Sequence, residues 1–137
     1  MSLMRILDIS AQSLAAQSVR LNVTASNLAN ANSEAGSPEA VYRPRHPVFA
    51  AVLDAQRRDP AAVGVRVAAV VESQAPPEKR YDPGHPLADA QGYVYLPRIE
   101  VVEEMADMIS ASRSYEASVE VFNTAKELAL RTLALGQ

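Results

Sequence analysis

The N-terminal segment carries a heptad pattern of apolar side chains. Leucine occupies every seventh position from Leu7 to Leu28, and the residues three or four positions away are small or apolar. Alternating steps of three and four place these residues on one narrow stripe of an α-helix, as in a coiled-coil seam. We therefore predict a helix over residues 3–31. Its seam comprises Met4, Leu7, Ala11, Leu14, Ser18, Leu21, Ala25 and Leu28.

The C-terminal segment repeats this scheme and predicts a second helix over residues 99–134. Ser112 and Lys126 are the two positions of its seam that are not largely apolar. The two seams are expected to face each other in a hairpin, parallel or antiparallel, with about 1.5–3 kcal/mol from each large side chain buried. The second seam comprises Val101, Met105, Met108, Ser112, Tyr115, Val119, Phe122, Lys126, Ala129 and Leu133.

The segment between the helices is rich in proline and is predicted to be irregular with short strands. All nine prolines lie between Pro38 and Pro97, and proline breaks helix interiors. Valines alternate with small or polar residues over residues 63–67, and the runs 48–53 and 93–96 are plausible partner strands. The expected fold is mainly α. Residues 1–32 and 99–137 form one coiled-coil-like helical unit, and residues 33–98 form a small β-containing middle.

The predicted first helix has few charges on its remaining surface. Residues 1–32 contain only Arg5, Asp8 and Arg20, and the other polar side chains, Asn27 and Asn30 among them, are neutral. A solvated helix face usually carries many Lys and Glu residues. This surface is therefore better suited to contact with other protein, although a polar surface helix that happens to lack charge is the alternative.

The predicted second helix begins with a group of acids. Glu100, Glu103, Glu104 and Asp107 lie in its first turns, where the helix dipole favours negative charge. Complementation of the dipole on a solvated face is the simpler interpretation. The alternative is an acidic patch that binds a basic neighbour.

Composition excludes several classes of protein. Hydrophobic residues make up 48% of the chain, enough for a packed core. A net charge of −3 argues against a general nucleic-acid binder, and the absence of cysteine excludes disulfides and thiolate chemistry. The longest apolar run, residues 48–53, is far shorter than a membrane-spanning helix of about 20 residues. The N-terminal residues lack the apolar core of a secretory signal.

Candidate chemistry is sparse. His46 and His85 are the only histidines, and both precede a proline. Asp82, His85 and Asp89 could be imagined as a metal site, but their spacing matches no common ligand geometry. The sequence contains neither a Gly-x-Ser-x-Gly elbow nor a glycine-rich phosphate loop. We therefore expect no catalytic, cofactor-binding or metal-binding residues, no small-molecule substrate and no membrane insertion.

Three stretches carry a family resemblance. The run LNVTASNLANAN at residues 21–32 resembles the N-terminal signature of flagellar rod, hook and hook–filament junction proteins. YDPGHPLAD at residues 81–89, GYV at 92–94 and residues 101–126 resemble the proximal-rod members of that superfamily. The likeness covers nearly the whole chain, and the short middle also fits these members.

The resemblance implies a structural subunit of the flagellar basal body, exported by the flagellum's own apparatus without a cleaved signal. It implies assembly with other rod subunits and copies of itself into a torque-transmitting drive shaft, with basal-body ring and export-gate components as further candidate partners. The residues expected to mediate assembly are Leu7, Leu14, Leu21, Asn27, Leu28, Asn30, Met105, Met108, Tyr115, Val119, Phe122 and Leu133. A stand-alone coiled-coil interaction module and a small hydrolase are the alternatives.

Overall fold

The computed structural model describes residues 2–53 and 63–135 and contains two long helices joined by short strands. The order of elements is α1 (Leu3–Asn30), β1 (Arg45–Val52), β2 (Gly64–Glu72), β3 (Glu78–Tyr81), β4 (Tyr93–Leu96) and α2 (Val101–Leu135). The prediction of a mainly α chain with a small β middle is confirmed, and both helices end within two residues of their predicted bounds. The predicted division into separate domains stays a prediction.

Helix α1 is long because nothing in its sequence breaks it. No proline or glycine occurs before Gly36, so the 28 residues of α1 form one continuous helix. Its ends are weakly stabilised, since Ser2 makes no side-chain capping hydrogen bond and the first turn carries no acid. Packing against the rest of the chain must therefore supply most of its stability.

Helix α2 begins shortly after Pro97 and continues for 35 residues. Glu103 and Glu104 lie in its first turn, where their charge complements the helix dipole. One of these acids, Glu104, is buried. The interpretation of the acidic turn as solvated surface therefore does not extend to this residue.

Strands β1 and β2 form an antiparallel hairpin. The pairing runs from Arg45 opposite Glu72 to Val52 opposite Gly64, with a register shift between Val48 and Phe49. The two strands overlap the predicted stretches, the plausible partner strand at residues 48–53 and the alternating valines at residues 63–67. A two-stranded hairpin is marginally stable alone, and this one packs against α1.

Strands β3 and β4 form a second antiparallel hairpin, which an eleven-residue loop (residues 82–92) connects. Ala35, just after α1, adds a bridge to the far side of β4 through two backbone hydrogen bonds of 2.9 Å with Tyr95. Strand β4 was predicted and β3 was not. All four residues of β3 are exposed, so no alternation of apolar residues marks the strand in the sequence.

Helix α1 is the element around which the fold is built, because α2, β1 and β2 all pack against it. The hairpin approaches α1 closely at Gly64, where an added Cβ would lie 1.9 Å from the Gln12 side-chain oxygen. Apart from Pro44 and Pro97, the buried apolar side chains in the described residues are small or medium-sized. They are Ala16, Ala31, Val41, Val94, Ala111 and Ala125.

Candidate assembly interface

Asn27 lies where three segments meet. It is 1% exposed, and its carboxamide makes four hydrogen bonds. The nitrogen donates to the backbone oxygen of Arg45 at 2.9 Å and to Glu104 Oε1 at 3.0 Å. The oxygen accepts from the hydroxyl of Tyr42 at 2.9 Å and from the backbone N–H of Arg45 at 3.0 Å. All four hydrogen-bonding positions of this buried amide are therefore satisfied.

Two further polar contacts join the helices and fix their direction. The hydroxyls of Ser13 and Ser118 are 2.8 Å apart. Arg20 donates to Asp107 Oδ1 at 2.7 Å. Since later residues of α1 meet earlier residues of α2, the hairpin is antiparallel. The heptad pattern by itself does not specify this direction.

The predicted seam of α1 lies beside these contacts. Ser13, Arg20 and Asn27 immediately precede Leu14, Leu21 and Leu28, and one residue corresponds to a rotation of about 100° around the helix. The leucines, including Leu7, are half-buried, whereas the buried side chains of α1 are Ser10, Ala16, Thr24 and Asn27. The leucine stripe thus flanks the contact with α2 and does not form its centre.

The predicted seam residues of α2 also lie beside the contact between the helices, and some are half-buried while others are exposed. Met108, Val119 and Phe122 are half-buried, whereas Met105, Tyr115 and Leu133 are exposed, Met105 to 53% and Leu133 to 70%. The buried residues of α2 are Glu104, Ala111 and Ala125. Ala111 follows Glu104 by seven residues and Ala125 follows Ala111 by fourteen, and each of the three immediately precedes a seam position. Small side chains at the contact allow the two helices to approach closely.

The last predicted assembly residue, Asn30, makes its side-chain hydrogen bond within its own helix. Its side-chain nitrogen donates to the backbone oxygen of Ser26 at 2.8 Å. Whether Asn30 and the seam residues contact neighbouring subunits stays a prediction.

Further large apolar residues are exposed on α2 outside the predicted seam. Val102 is 81% exposed and Leu135 89% exposed. A heptad template overlooks these residues because it selects one stripe. A simple count of leucines in the last two turns, which read LALRTLAL at residues 128–135, would have drawn attention to them. The additional exposed residues are Val102, Ile109, Val121, Leu128, Leu130 and Leu135.

The loop at residues 82–92 is organised around Asp89. Its Oδ1 accepts the backbone N–H groups of Gln91 and Tyr93, both at 2.9 Å, and its Oδ2 accepts the Tyr95 hydroxyl at 2.9 Å. The Tyr93 N–H lowers the pKa of Asp89, assisted by Tyr95 and Gln91, while partial desolvation opposes the shift. The same carboxylate raises the pKa of Tyr95.

A second cluster attaches this loop to the end of α1. Glu34 binds Arg80 of β3 through one carboxylate oxygen and lies 2.7 Å from His85 Nε2 through the other. His85 Nδ1 accepts the backbone N–H of Leu87 at 3.1 Å, so the ring proton lies on Nε2. Asp82 lies 3.8 Å from Arg80. Because His85 is directed at Glu34 and Asp89 binds its own loop, each side chain of the imagined metal site has another partner.

Within residues 2–53 and 63–135, no group of three or more His, Asp or Glu side chains is arranged to hold a metal ion. Neither helix in this part of the chain combines the length and hydropathy that crossing a membrane requires.

Both helical ends of the chain match models of known protein families. Residues 7–34 match the model described as "Flagella basal body rod protein". Residues 90–135 match the model described as "Flagellar basal body rod FlgEFG protein C-terminal". These matches include α1, β4 and α2 and the residues of the Asn27–Glu104 contact.

Relatives that align over the whole chain identify the family more specifically than the two family models do. The chain is 54% identical to the flagellar basal-body rod protein FlgC of Salmonella typhimurium, over 100% of both chains. It is 52% identical to FlgC of Escherichia coli O6:H1 over 100% of both, and 46% identical to FlgC of Aquifex aeolicus over 96% of both. On this full-length similarity and the two family models, the chain belongs to the FlgC family of flagellar basal-body rod proteins, which are structural subunits of the rod and not enzymes.

Proposed function

We propose that this chain builds part of the proximal rod by polymerising through its terminal helices, and that the assembled rod transmits torque as a drive shaft. One observation carries the proposal. The two helices bury alanine, serine and asparagine against each other and leave much of their leucine, methionine and valine surface half-buried or exposed. Large contiguous apolar surfaces on a soluble chain usually mark sites of contact with other proteins.

The predicted seam residues are the proposed contacts with neighbours. Leu7, Leu14, Leu21 and Leu28 share one stripe that flanks the contact between the helices. In an antiparallel pair, the positions on the same flank of both helices lie on one side of the hairpin. Met105 and Val119 occupy the corresponding flank of α2. Together these stripes form an apolar side onto which another helical hairpin can pack.

The proposed partners are copies of this chain and other rod subunits of the same helical type. Contacts with basal-body rings or with the export gate are further candidates. Burial of one large apolar side chain contributes about 1.5–3 kcal/mol. Apolar contacts along several helices at once therefore allow the assembled rod to resist twisting without any single strong bond.

Folding of the helices is proposed to be coupled to docking. Helix α1 has no side-chain N-cap and no dipole-complementing acid in its first turn, and its leucines are incompletely covered. A helix with these properties is marginal alone and gains stability when a neighbour covers its apolar side. The free subunit should therefore have frayed helices that become ordered in the rod.

Hydrogen exchange tests this coupling. Amides of residues 3–30 and 101–135 should exchange readily in the purified chain and should be protected in isolated basal bodies. The middle hairpins serve as the internal reference. Full protection of both helices in a discrete oligomer of the purified chain would instead support a stand-alone coiled-coil module.

Substitution in the leucine stripe tests the assembly surface. Leu14→Glu or Leu21→Glu places a charge on the proposed contact and should abolish incorporation into basal bodies, and hence swimming, while expression persists. Gln74→Glu, in the exposed segment after β2, is the matched control and should swim normally. Normal swimming of both leucine variants would exclude the stripe as an assembly contact.

A further inference from the structure

The first turns of α2 line one wall of a cavity. The cavity has a volume of about 260 Å³ and lies where the start of β1, the end of β2 and the start of α2 meet. Four carboxylates line it, those of Glu100, Glu103, Glu104 and Asp107. A buried water needs only about 10–15 Å³, so the cavity has room for the charged end of an arginine or lysine side chain.

Glu104 is the buried member of this group and is only 8% exposed. Its Oε1 accepts the hydrogen bond from Asn27 Nδ2 at 3.0 Å, and this amide donor carries no charge. Its Oε2 has no hydrogen bond or ion pair with any described residue. Oε2 is also not among the fully enclosed oxygens of the described residues, so it remains open to the cavity that Glu104 lines.

The other charged groups around the cavity do not balance the buried carboxylate. Asp107 already binds an arginine of α1 at 2.7 Å, so that pair adds no net charge. Glu100 and Glu103 form no ion pair with the described residues. Arg98 is the only arginine or lysine among the lining residues, and His46, which also lines the cavity, forms no ion pair in the described part of the chain. Three acids against one arginine leave the cavity with a negative excess.

This excess favours a cation inside the cavity. A carboxylate that is buried without a balancing charge destabilises the folded chain. The described residues contain no group of three or more His, Asp or Glu side chains that could hold a metal ion. An arginine or lysine side chain does not require such convergence, because its several N–H groups can each bind a different carboxylate. A basic side chain therefore fits this lining better than a metal ion does.

We propose that the cavity receives an arginine or lysine side chain of a neighbouring rod subunit, which binds Oε2 of Glu104. This inference rests on the proposed assembly function and names the chemistry of one partner contact. In the free subunit the buried charge of Glu104 is not balanced, and docking of the neighbour neutralises it. The contact therefore favours the assembled chain over the free one.

Glu104→Gln separates this role from a purely structural one. The substitution removes the charge and keeps an oxygen that can accept the hydrogen bond from Asn27. In the purified full-length chain, the urea midpoint measured by circular dichroism should therefore rise, by roughly 0.5 M. In cells that also express the natural chain under a separate tag, the share of the variant in isolated basal bodies should fall about tenfold relative to its share in whole cells.

Two other acids of α2 provide matched controls. Glu103 is exposed in the same turn as Glu104. Glu103→Gln loses a similar interaction with the helix dipole without relieving a buried charge, so its urea midpoint should fall slightly. Glu116→Gln, at an exposed position farther along the helix, should change neither the urea midpoint nor the share in basal bodies.

The opposite signs of the two changes in Glu104→Gln make the inference testable. An unchanged or lower urea midpoint would show that the charge of Glu104 is already balanced in the free chain, and would overturn the inference. A share in basal bodies equal to that of Glu116→Gln would also overturn it, because no positive charge then depends on Glu104. Absence of the natural chain from basal bodies would instead overturn the proposed function itself.

Discussion

The side-chain nitrogen of Asn27 donates to the carboxylate of Glu104 at 3.0 Å and joins the two terminal helices across 77 residues of chain. The same amide holds both backbone polar groups of Arg45, where β1 begins. A buried amide with every hydrogen bond satisfied specifies one arrangement of its neighbours, since any shift leaves buried polar groups unpaired. This contact therefore sets the register of the hairpin and the position of the middle segment together.

Replacing Asn27 with Ala should lower the free energy of unfolding by about 2–4 kcal/mol. The reason is that the Glu104 carboxylate and the backbone polar groups of Arg45 lose their hydrogen bonds to the buried Asn27 amide. Urea unfolding followed by circular dichroism measures the change, and the amount of chain in basal bodies reports its consequence. Asn22→Ala, at an exposed position of the same helix, should change stability by less than about 0.5 kcal/mol. Equal effects of the two substitutions would show that the amide network is not essential.

The loop at residues 82–92 should lose stability in acid. The pKa of Asp89 is lowered in the folded chain, so its contribution is present above the unfolded pKa and disappears as the pH falls through the folded value. The loss should therefore occur below pH 3.8, the ordinary value for this carboxyl. Exchange of the Tyr93 amide as a function of pH follows this transition. In Asp89→Asn the acid-dependent component should be absent.

The hydrogen bond from the Tyr95 hydroxyl to Asp89 Oδ2 predicts a second loss of stability, in alkali. The pKa of Tyr95 is raised above its ordinary value of 10.0. Its contribution to stability is therefore present below pH 10.0 and lost as the pH rises through the folded value. Ultraviolet absorbance of the tyrosinate measures this titration. Asp89→Asn should lower the pKa of Tyr95, and an unchanged titration would contradict the assigned bond.

Gly92 should not tolerate a side chain. Its φ angle is +83°, and an added Cβ would lie 3.0 Å from both Pro83 Cβ and Tyr81 Cε2. Gly92→Ala should destabilise the loop by about 1–2 kcal/mol or more, from backbone strain alone. Gly84→Ala in the same loop is the control, since its Cβ would meet only the Asp82 carboxylate at 3.9 Å. Amide exchange across residues 82–92 compares the two, and similar protection in both would refute this account.

Glu34 should anchor the loop to the end of α1. Glu34→Ala removes the partner of both Arg80 and His85, so exchange at the paired amides of Ala35 and Tyr95 should become faster. Glu39→Ala, at an exposed acid five residues later, should leave these amides unchanged. If both variants behave alike, backbone pairing alone holds the loop.

Local pattern was sufficient to predict the helices and three of the four strands. The helices follow from the heptad spacing of apolar residues and from the confinement of all prolines to the middle. Strand β3 escaped prediction because its four exposed residues carry no alternation, and only its backbone bonds with β4 define it. The candidate assembly residues were identifiable as an apolar stripe, but their partners were not.

The amino-acid sequence by itself determined where the helices lie, that the middle is a separate β-containing stretch, and which family the chain belongs to. Only the tertiary structure decided the antiparallel direction and the face on which the helices meet. The physical reason is that a heptad of leucines marks an apolar surface without specifying what covers it. Ser13, Arg20 and Asn27 make the contacts within the chain. They too recur every seven residues, but because they are polar, a pattern of apolar residues does not separate them from ordinary surface. Their partners lie 77 to 105 residues away, and only the folded chain brings them together.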